Sequence, residues 1–221
     1  MPITFPTSRF GFLEQEVDIE RQTLKGGTAL SGEQDITSTD GGGRVFAEFA
    51  GGSLIDRDKV LAWRALMGIL EEGVTRVVVP FCDVRHTPYL GSGKRRVPHS
   101  DKTPFSDGSL YVGSGVTGLV GIPMAPRATR VFLSAVLRRE LVGGEWFSIE
   151  HPNKGWRAYK VKQVIDEGSF TFSPPIREAV DAATTLDFNE PRCLMVQDGR
   201  ASTRLVNRRH TEAAIRFIEA P

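Results

Sequence analysis

Turn signals cut this chain into short segments, and only one of those segments repeats with helical spacing. Gly26-Gly27, Gly41-Gly42-Gly43, Gly143-Gly144, Pro152-Asn153-Lys154-Gly155, Glu167-Gly168 and Asp198-Gly199 each mark a turn. Between them apolar and polar residues alternate with period two, the signature of a half-buried strand. In 15–24, Val17 and Ile19 share a face opposite Glu16, Asp18 and Glu20. In 44–49, Val45, Ala47 and Phe49 oppose Arg44, Phe46 and Glu48. The same reasoning places strands at 31–38, 75–81, 109–112, 130–133, 146–149, 156–164, 169–172, 185–188, 192–195, 203–207 and 214–219.

The single helix is predicted over 56–72. Val60, Trp63, Met67 and Leu70 recur at helical spacing, and Leu66 widens the stripe. Asp56 is the expected N-cap and Gly73 the expected left-handed residue at the C-terminus. The fold class that follows is mainly β. We expect a β-sandwich or barrel with one amphipathic helix packed on the N-terminal sheet, and a second small β-barrel-like domain.

Domain boundaries follow from where the alternation breaks. Residues 1–12 read as an extended arm, because Pro2 and Pro6 hold the preceding residues extended and Phe5, Phe10 and Phe12 have little local structure around them. Residues 13–83 form the N-terminal β domain. The stretch 84–107 carries Pro88, Pro98, Pro104 and the run Lys94-Arg95-Arg96, and reads as a long partner-facing loop. Residues 108–200 form the second β domain, and 201–221 supply strands that return to the N-terminal sheet.

Composition narrows the function classes. A chain with 40% hydrophobic and 25% charged residues can bury a core. A formal net charge of +1 argues against a dedicated nucleic-acid binder, which concentrates basic residues on one face. Cys82 and Cys193 fit no metal motif and make no disulfide framework, so they read as buried thiols in a reducing compartment. No apolar run approaches the roughly 18 residues of a membrane helix. The start Met1-Pro2-Ile3-Thr4-Phe5-Pro6 lacks the basic and apolar regions of a signal peptide, so membrane insertion and secretion are not expected.

Each motif with chemical potential fails on its own requirements. Gly91-Ser92-Gly93-Lys94 lacks the first glycine of a phosphate loop, and Arg95 stands where Ser or Thr would hold magnesium. Ser114 has glycines immediately beside it instead of one residue removed, so it is no nucleophile elbow. His86, His99, His151 and His210 sit at no metal-ligand spacing and read as surface or interface residues. Glu71-Glu72 and Asp166-Glu167 are solvated ends of a helix and a hairpin. The expectation is a protein without catalytic residues, cofactor or metal. Pro174-Pro175 stops a ladder and fixes a rigid exit. The candidate assembly residues are therefore Phe5, Phe10, Phe12, Lys94, Arg95, Arg96, Pro174, Pro175 and Arg177.

The order of elements carries a resemblance. A strand leads through Leu30-Ser31-Gly32-Glu33-Gln34 to a turn and to the strand at 44–49. Then come the helix with Leu61-Ala62-Trp63-Arg64-Ala65-Leu66, Gly73, and a strand ending Val79-Pro80-Phe81-Cys82-Asp83. This resembles the N-terminal domain of the distal tail proteins of long-tailed phages and gene transfer agents. The second half, with Trp146-Phe147-Ser148, Tyr159-Lys160-Val161, Pro174-Pro175-Ile176-Arg177 and Pro191-Arg192-Cys193, resembles tail structural proteins of phages of proteobacteria, with Ile176 in place of the commoner Leu.

The resemblance implies a structural virion protein, made in the bacterial host cytoplasm, that forms a homo-hexameric ring at the tail tip or baseplate. Its implied partners are the tail tube protein and the baseplate hub and tape-measure proteins, with DNA only in transit. It implies no catalytic residue. The rival reading is a carbohydrate-binding β-sandwich, with Trp146, Trp156 and Tyr159 as a platform for sugar rings. A small hydrolase is a third, disfavoured by the missing triad.

Overall fold

The computed structural model describes residues 2–28, 30–38, 41–81, 95–97, 103, 106, 111–113, 117–134, 141–206 and 210–221. About half the chain, 51%, lies in strands against 12% in helices, which makes it a mainly β protein. The strands of the first half are β1 (Ile3–Thr4), β2 (Glu14–Glu20), β3 (Thr23–Thr28), β4 (Gln34–Ser38), β5 (Arg44–Ser53), β6 (Val77–Pro80) and β7 (Arg95–Val97). Those of the second half are β8 (Tyr111–Gly113), β9 (Thr117–Leu119), β10 (Arg130–Phe132), β11 (Trp146–His151), β12 (Gly155–Asp166) and β13 (Ser169–Ser173). The last four are β14 (Thr185–Asp187), β15 (Arg192–Gln197), β16 (Ser202–Val206) and β17 (His210–Glu219). The helices are a single-turn α1 (Thr7–Phe10) and the long α2 (Arg57–Leu70), which runs into a 3-10 turn at Glu71–Gly73.

A seven-stranded sheet runs in the order β1-β6-β15-β17-β5-β2, with β16 beside β17. Alternation decides its faces. Val45, Ala47 and Phe49 of β5 point the same way as Val17 of β2, Val77 and Val79 of β6, and Ile215 and Phe217 of β17, and all are buried. Helix α2 lies over this face with Trp63, Leu66 and Leu70, so the amphipathic stripe finds the sheet it was made for. Asp56 occupies the N-cap position in extended backbone, but its side chain makes no capping bond. The helix ends in left-handed Glu71 and Glu72, ahead of the predicted Gly73. Gly73 is needed for another reason. Its φ is +106°, and a Cβ there would stand 2.6 Å from the carbonyl oxygen of Gln197.

The second sheet runs β10-β13-β12-β11-β14-β9, and its two edges meet. Val120 bridges Leu133 antiparallel. The Gly121 N–H donates to Phe132 O at 2.7 Å, and the Ser134 N–H donates to Leu119 O at 2.9 Å. The sheet thus curls into a six-stranded barrel whose edge strands meet at this one bridge. Its interior is filled by rings. Phe147 touches Tyr159, Phe170, Phe172 and Phe188, with centroids 5.3–5.6 Å apart. A barrel this small has room only for side chains.

Three expectations need correction. Residues 1–12 do not extend as an arm. Ile3 and Thr4 pair in parallel with Val77 and Val78, and Phe5 and Phe10 are fully buried in the core of their own chain. Burying a large side chain contributes about 1.5–3 kcal/mol, so the nearest apolar face captures the segment. The expected strand over 15–24 breaks after Glu20, and β3 pairs with β4 as a separate hairpin. Strand β15 belongs to the first sheet, between β6 and β17, although it follows the barrel strands in the chain.

Candidate functional site

The strongest polar cluster lies where sheet and barrel meet. The chain leaves β13 through Pro174 and Pro175, which stop the ladder. Ile176 enters the barrel core and Arg177 turns toward the sheet. Pro175 fits against Gly42, whose φ is +109°, and a Cβ on that glycine would come within 2.2 Å of the proline Cδ. Arg21 Nη2 donates to Ser173 Oγ at 2.8 Å, and Lys160 pairs with Asp18 at 3.1 Å.

Glu219, at the end of β17, is the hub. Arg177 grips it in bidentate fashion, Nε to Oε1 and Nη2 to Oε2, both at 2.8 Å. Arg157 Nη1 lies 3.5 Å from Oε1, and the Val45 N–H donates to Oε2 at 3.2 Å. Arg157 also donates to the Ala220 carbonyl, and Arg177 to the Gly43 carbonyl. Glu219 is 3% exposed and Arg157 1%. Burial works against the Arg177 charge, but the hydrogen bonds and charge of Glu219 outweigh it and hold its pKa above the usual value. A cleft of 630 Å3 opens beside this group, and Glu20, Arg44 and Lys154 are among its lining residues.

His151 closes one end of the barrel. Its Nε2 shares a hydrogen bond with the Tyr159 hydroxyl at 2.8 Å, and that hydroxyl accepts from the Arg177 N–H at 3.4 Å. Burial is the main cause that lowers the His151 pKa to about 4, against the pull of Glu178 and with the push of Arg157; Glu219 acts with Glu178. Burial likewise pushes Tyr159 far above its ordinary value and the Cys193 thiol up to about 12. These groups are therefore neutral at physiological pH, and Cys193 is a buried thiol instead of a nucleophile.

A pH dependence follows. An unfolded imidazole titrates near 6.5 and this one near 4. The folded chain then binds fewer protons between those values. Stability is full above pH 6.5 and falls as pH drops from 6.5 toward 4. Urea unfolding midpoints across that range should slope for the native chain, and His151→Gln should remove this part of the slope. Equal slopes for the two would refute the assignment.

Most of the sequence-derived candidates are spent inside the chain. Phe5 meets Phe49 at 5.5 Å and Phe217 at 4.8 Å, and Phe10 meets Trp63 at 5.1 Å. Phe12 is partly buried against Phe49 at 5.3 Å. Pro174, Pro175 and Arg177 clasp their own sheet. Lys94 lies outside the described residues, and Arg95 and Arg96 belong to β7, which pairs with β8. Of the sugar platform, Trp146 and Tyr159 are wholly buried, and Trp156 lies under Arg192 at 4.6 Å. His151 is buried, against the expectation of a surface histidine. Among the described residues no three His, Cys, Asp or Glu side chains gather as metal ligands. No helix among them is long and apolar enough to cross a membrane.

No protein-family model matches this chain, and no curated protein matches its sequence.

The junction residues have a readable signal that motif spacing misses. Glu219 is in phase with Ile215 and Phe217, Arg157 with Tyr159 and Val161, and His151 with Phe147 and Ile149. Period two puts each of these polar groups on an apolar face. A charged or polar group there needs a partner, because burying it alone is costly.

The surface offers a different kind of feature. The β3–β4 hairpin is exposed along every strand residue. It carries Leu24 at 64% exposure, Ile36 at 61% and Leu30, at its tip, fully open. Leu24 faces one side with Thr37, and Ile36 the other with Lys25. Gln34 Nε2 donates to Gly26 O at 2.9 Å across the ribbon. Beside the hairpin, β2 ends the seven-stranded sheet with its outer ladder groups unpaired by any further strand among the described residues.

Proposed function

We propose that this chain is a structural subunit that assembles into a ring at the tip of a phage-type tail, joining the tail tube to the baseplate hub and leaving a passage for DNA. The observation that carries the reading is the β3–β4 hairpin. A two-stranded ribbon is marginal in water by itself, and this one shows apolar side chains on both faces. Such a ribbon gains stability when something covers it. The place of β2 at the end of its sheet supports the same reading, because edge strands invite pairing with another chain. The order of elements, which resembles the distal tail proteins, supports the kind of assembly. The clasped junction fits it too, since a subunit of a ring holds its two β bodies at one angle.

Antibodies against the chain, applied to phage-like particles released by the host, should label the tail tip in negative-stain micrographs. The purified chain should bind the tail tube protein in cosedimentation. Particles without label, or a chain found only free in lysate, would remove the reading.

A further inference from the structure

We propose that the β3–β4 hairpin of one copy packs over the exposed face of helix α2 in the next copy, head to tail. This rests on the ring reading and names the contact that would build it. The helix has two unlike sides. Trp63, Leu66 and Leu70 are buried on the sheet. Leu61, Ala65, Gly68 and Ile69 form a second stripe that faces outward, with Leu61 43% and Ile69 45% exposed, and exposed Asp58 stands at its N-terminal end. Ile55 before the helix and Val74 after it are exposed apolar residues as well, at 64% and 76% exposure. Ala65 and Gly68 make its middle flat, and a Cβ on Gly68 would meet nothing within 4 Å. A flat, apolar helix face with large residues at both ends is shaped for a ribbon to lie on.

The hairpin matches that face in both apolarity and charge. Leu24 lies on one side of the ribbon with Asp35 and Thr37, and Leu30 stands open at the tip; this side meets the helix, while Ile36 and Lys25 face away from it. Arg57 and Arg64 flank the helix stripe, and neither has an ion-pair partner among the described residues. Asp35 on this side of the ribbon therefore meets Arg57 and Arg64, while Asp58 repels it from the N-terminal end of the stripe, and the two together fix the orientation. The two features leave opposite ends of β5, ten residues long and so about 30 Å from end to end. They are different patches on one molecule, so the contact is heterologous. Repeated, it closes a ring when the rotation between neighbours permits.

The test uses the full-length chain and two surface variants, with mass photometry and light scattering as readouts. Leu24→Asp/Leu30→Asp spoils the contacting side of the ribbon, and Leu61→Asp/Ile69→Asp spoils the helix face. All four positions are exposed, so unfolding midpoints should stay near the native one, and Leu24→Ser/Leu30→Ser serves as a milder ribbon variant. Each variant alone should self-associate about thirtyfold or more weakly than the native chain, the loss expected for central apolar contacts. Mixed one to one, the two variants should give a dimer and nothing larger, because each retains the half that the other lacks. Native-like oligomers from either variant alone, or no dimer on mixing, would overturn the contact while leaving the tail-tip reading to its own labelling experiment. A native chain that stays monomeric at every concentration would overturn it as well.

Discussion

Replacing Glu219 with alanine is expected to destabilise the folded chain by about 3–5 kcal/mol, because removing one partner strands the others as buried, uncompensated charge. Arg157 is the group most affected, being 1% exposed, while Arg177, with its side chain 21% exposed, can turn toward water. Glu219 also accepts from the Val45 N–H, so a second buried donor loses its partner. Urea unfolding followed by circular dichroism measures the loss. Glu219→Gln should cost less than alanine, since the amide oxygen still accepts. Arg157→Met/Glu219→Leu should recover much of the loss, because a well-packed apolar pair can match a buried ion pair. A Glu219→Ala chain within about 1 kcal/mol of the native one would mean that Glu219 does not hold sheet and barrel together.

Phe5→Ala is expected to cost about 3–5 kcal/mol in the isolated chain, the usual range for emptying a ring-sized site in a packed core. Phe5 is 0% exposed and touches Phe10, Phe12, Phe49 and Phe217. The readout is the unfolding midpoint in dilute solution, where the chain has no neighbour. Leu13, at 85% exposure, is the control, and its alanine variant should change stability by no more than about 0.5 kcal/mol. The two placements of the N-terminal segment part here. If residues 1–12 served only to grip a neighbouring subunit, Phe5→Ala would leave the dilute chain unchanged and weaken assembly alone.

The two substitutions also mark how far sequence reasoning reached. Alternation in Val17 and Ile19, and in Val45, Ala47 and Phe49, is a local property, and it correctly predicted which residues turn inward. The spacing of Trp63, Leu66 and Leu70 predicted the buried face of α2 in the same way. Phe5 was legible as an apolar anchor but not as part of its own core. Nothing near it says that β17 will bring Phe217 alongside, 212 residues later in the chain. The candidate site was legible in part. Arg177 stood out beside its prolines, whereas Glu219, Arg157 and His151 resembled ordinary strand polars until their phase was compared with apolar neighbours.

Local chemistry thus settled most of the strands, most of the turns, the long amphipathic helix and the mainly β class, because each depends on contacts within a few residues; Gly26-Gly27, expected as a turn, lies inside β3 instead. Closure of the barrel, the place of β15 in the first sheet and the capture of the N-terminal segment came from the folded chain. Each depends on pairing between segments far apart in sequence, and period two specifies a face without naming a partner. The exposed hairpin shows the same division. Its sequence reads like any other alternating ribbon, and only the assembled fold reveals that Leu24, Leu30 and Ile36 are left uncovered.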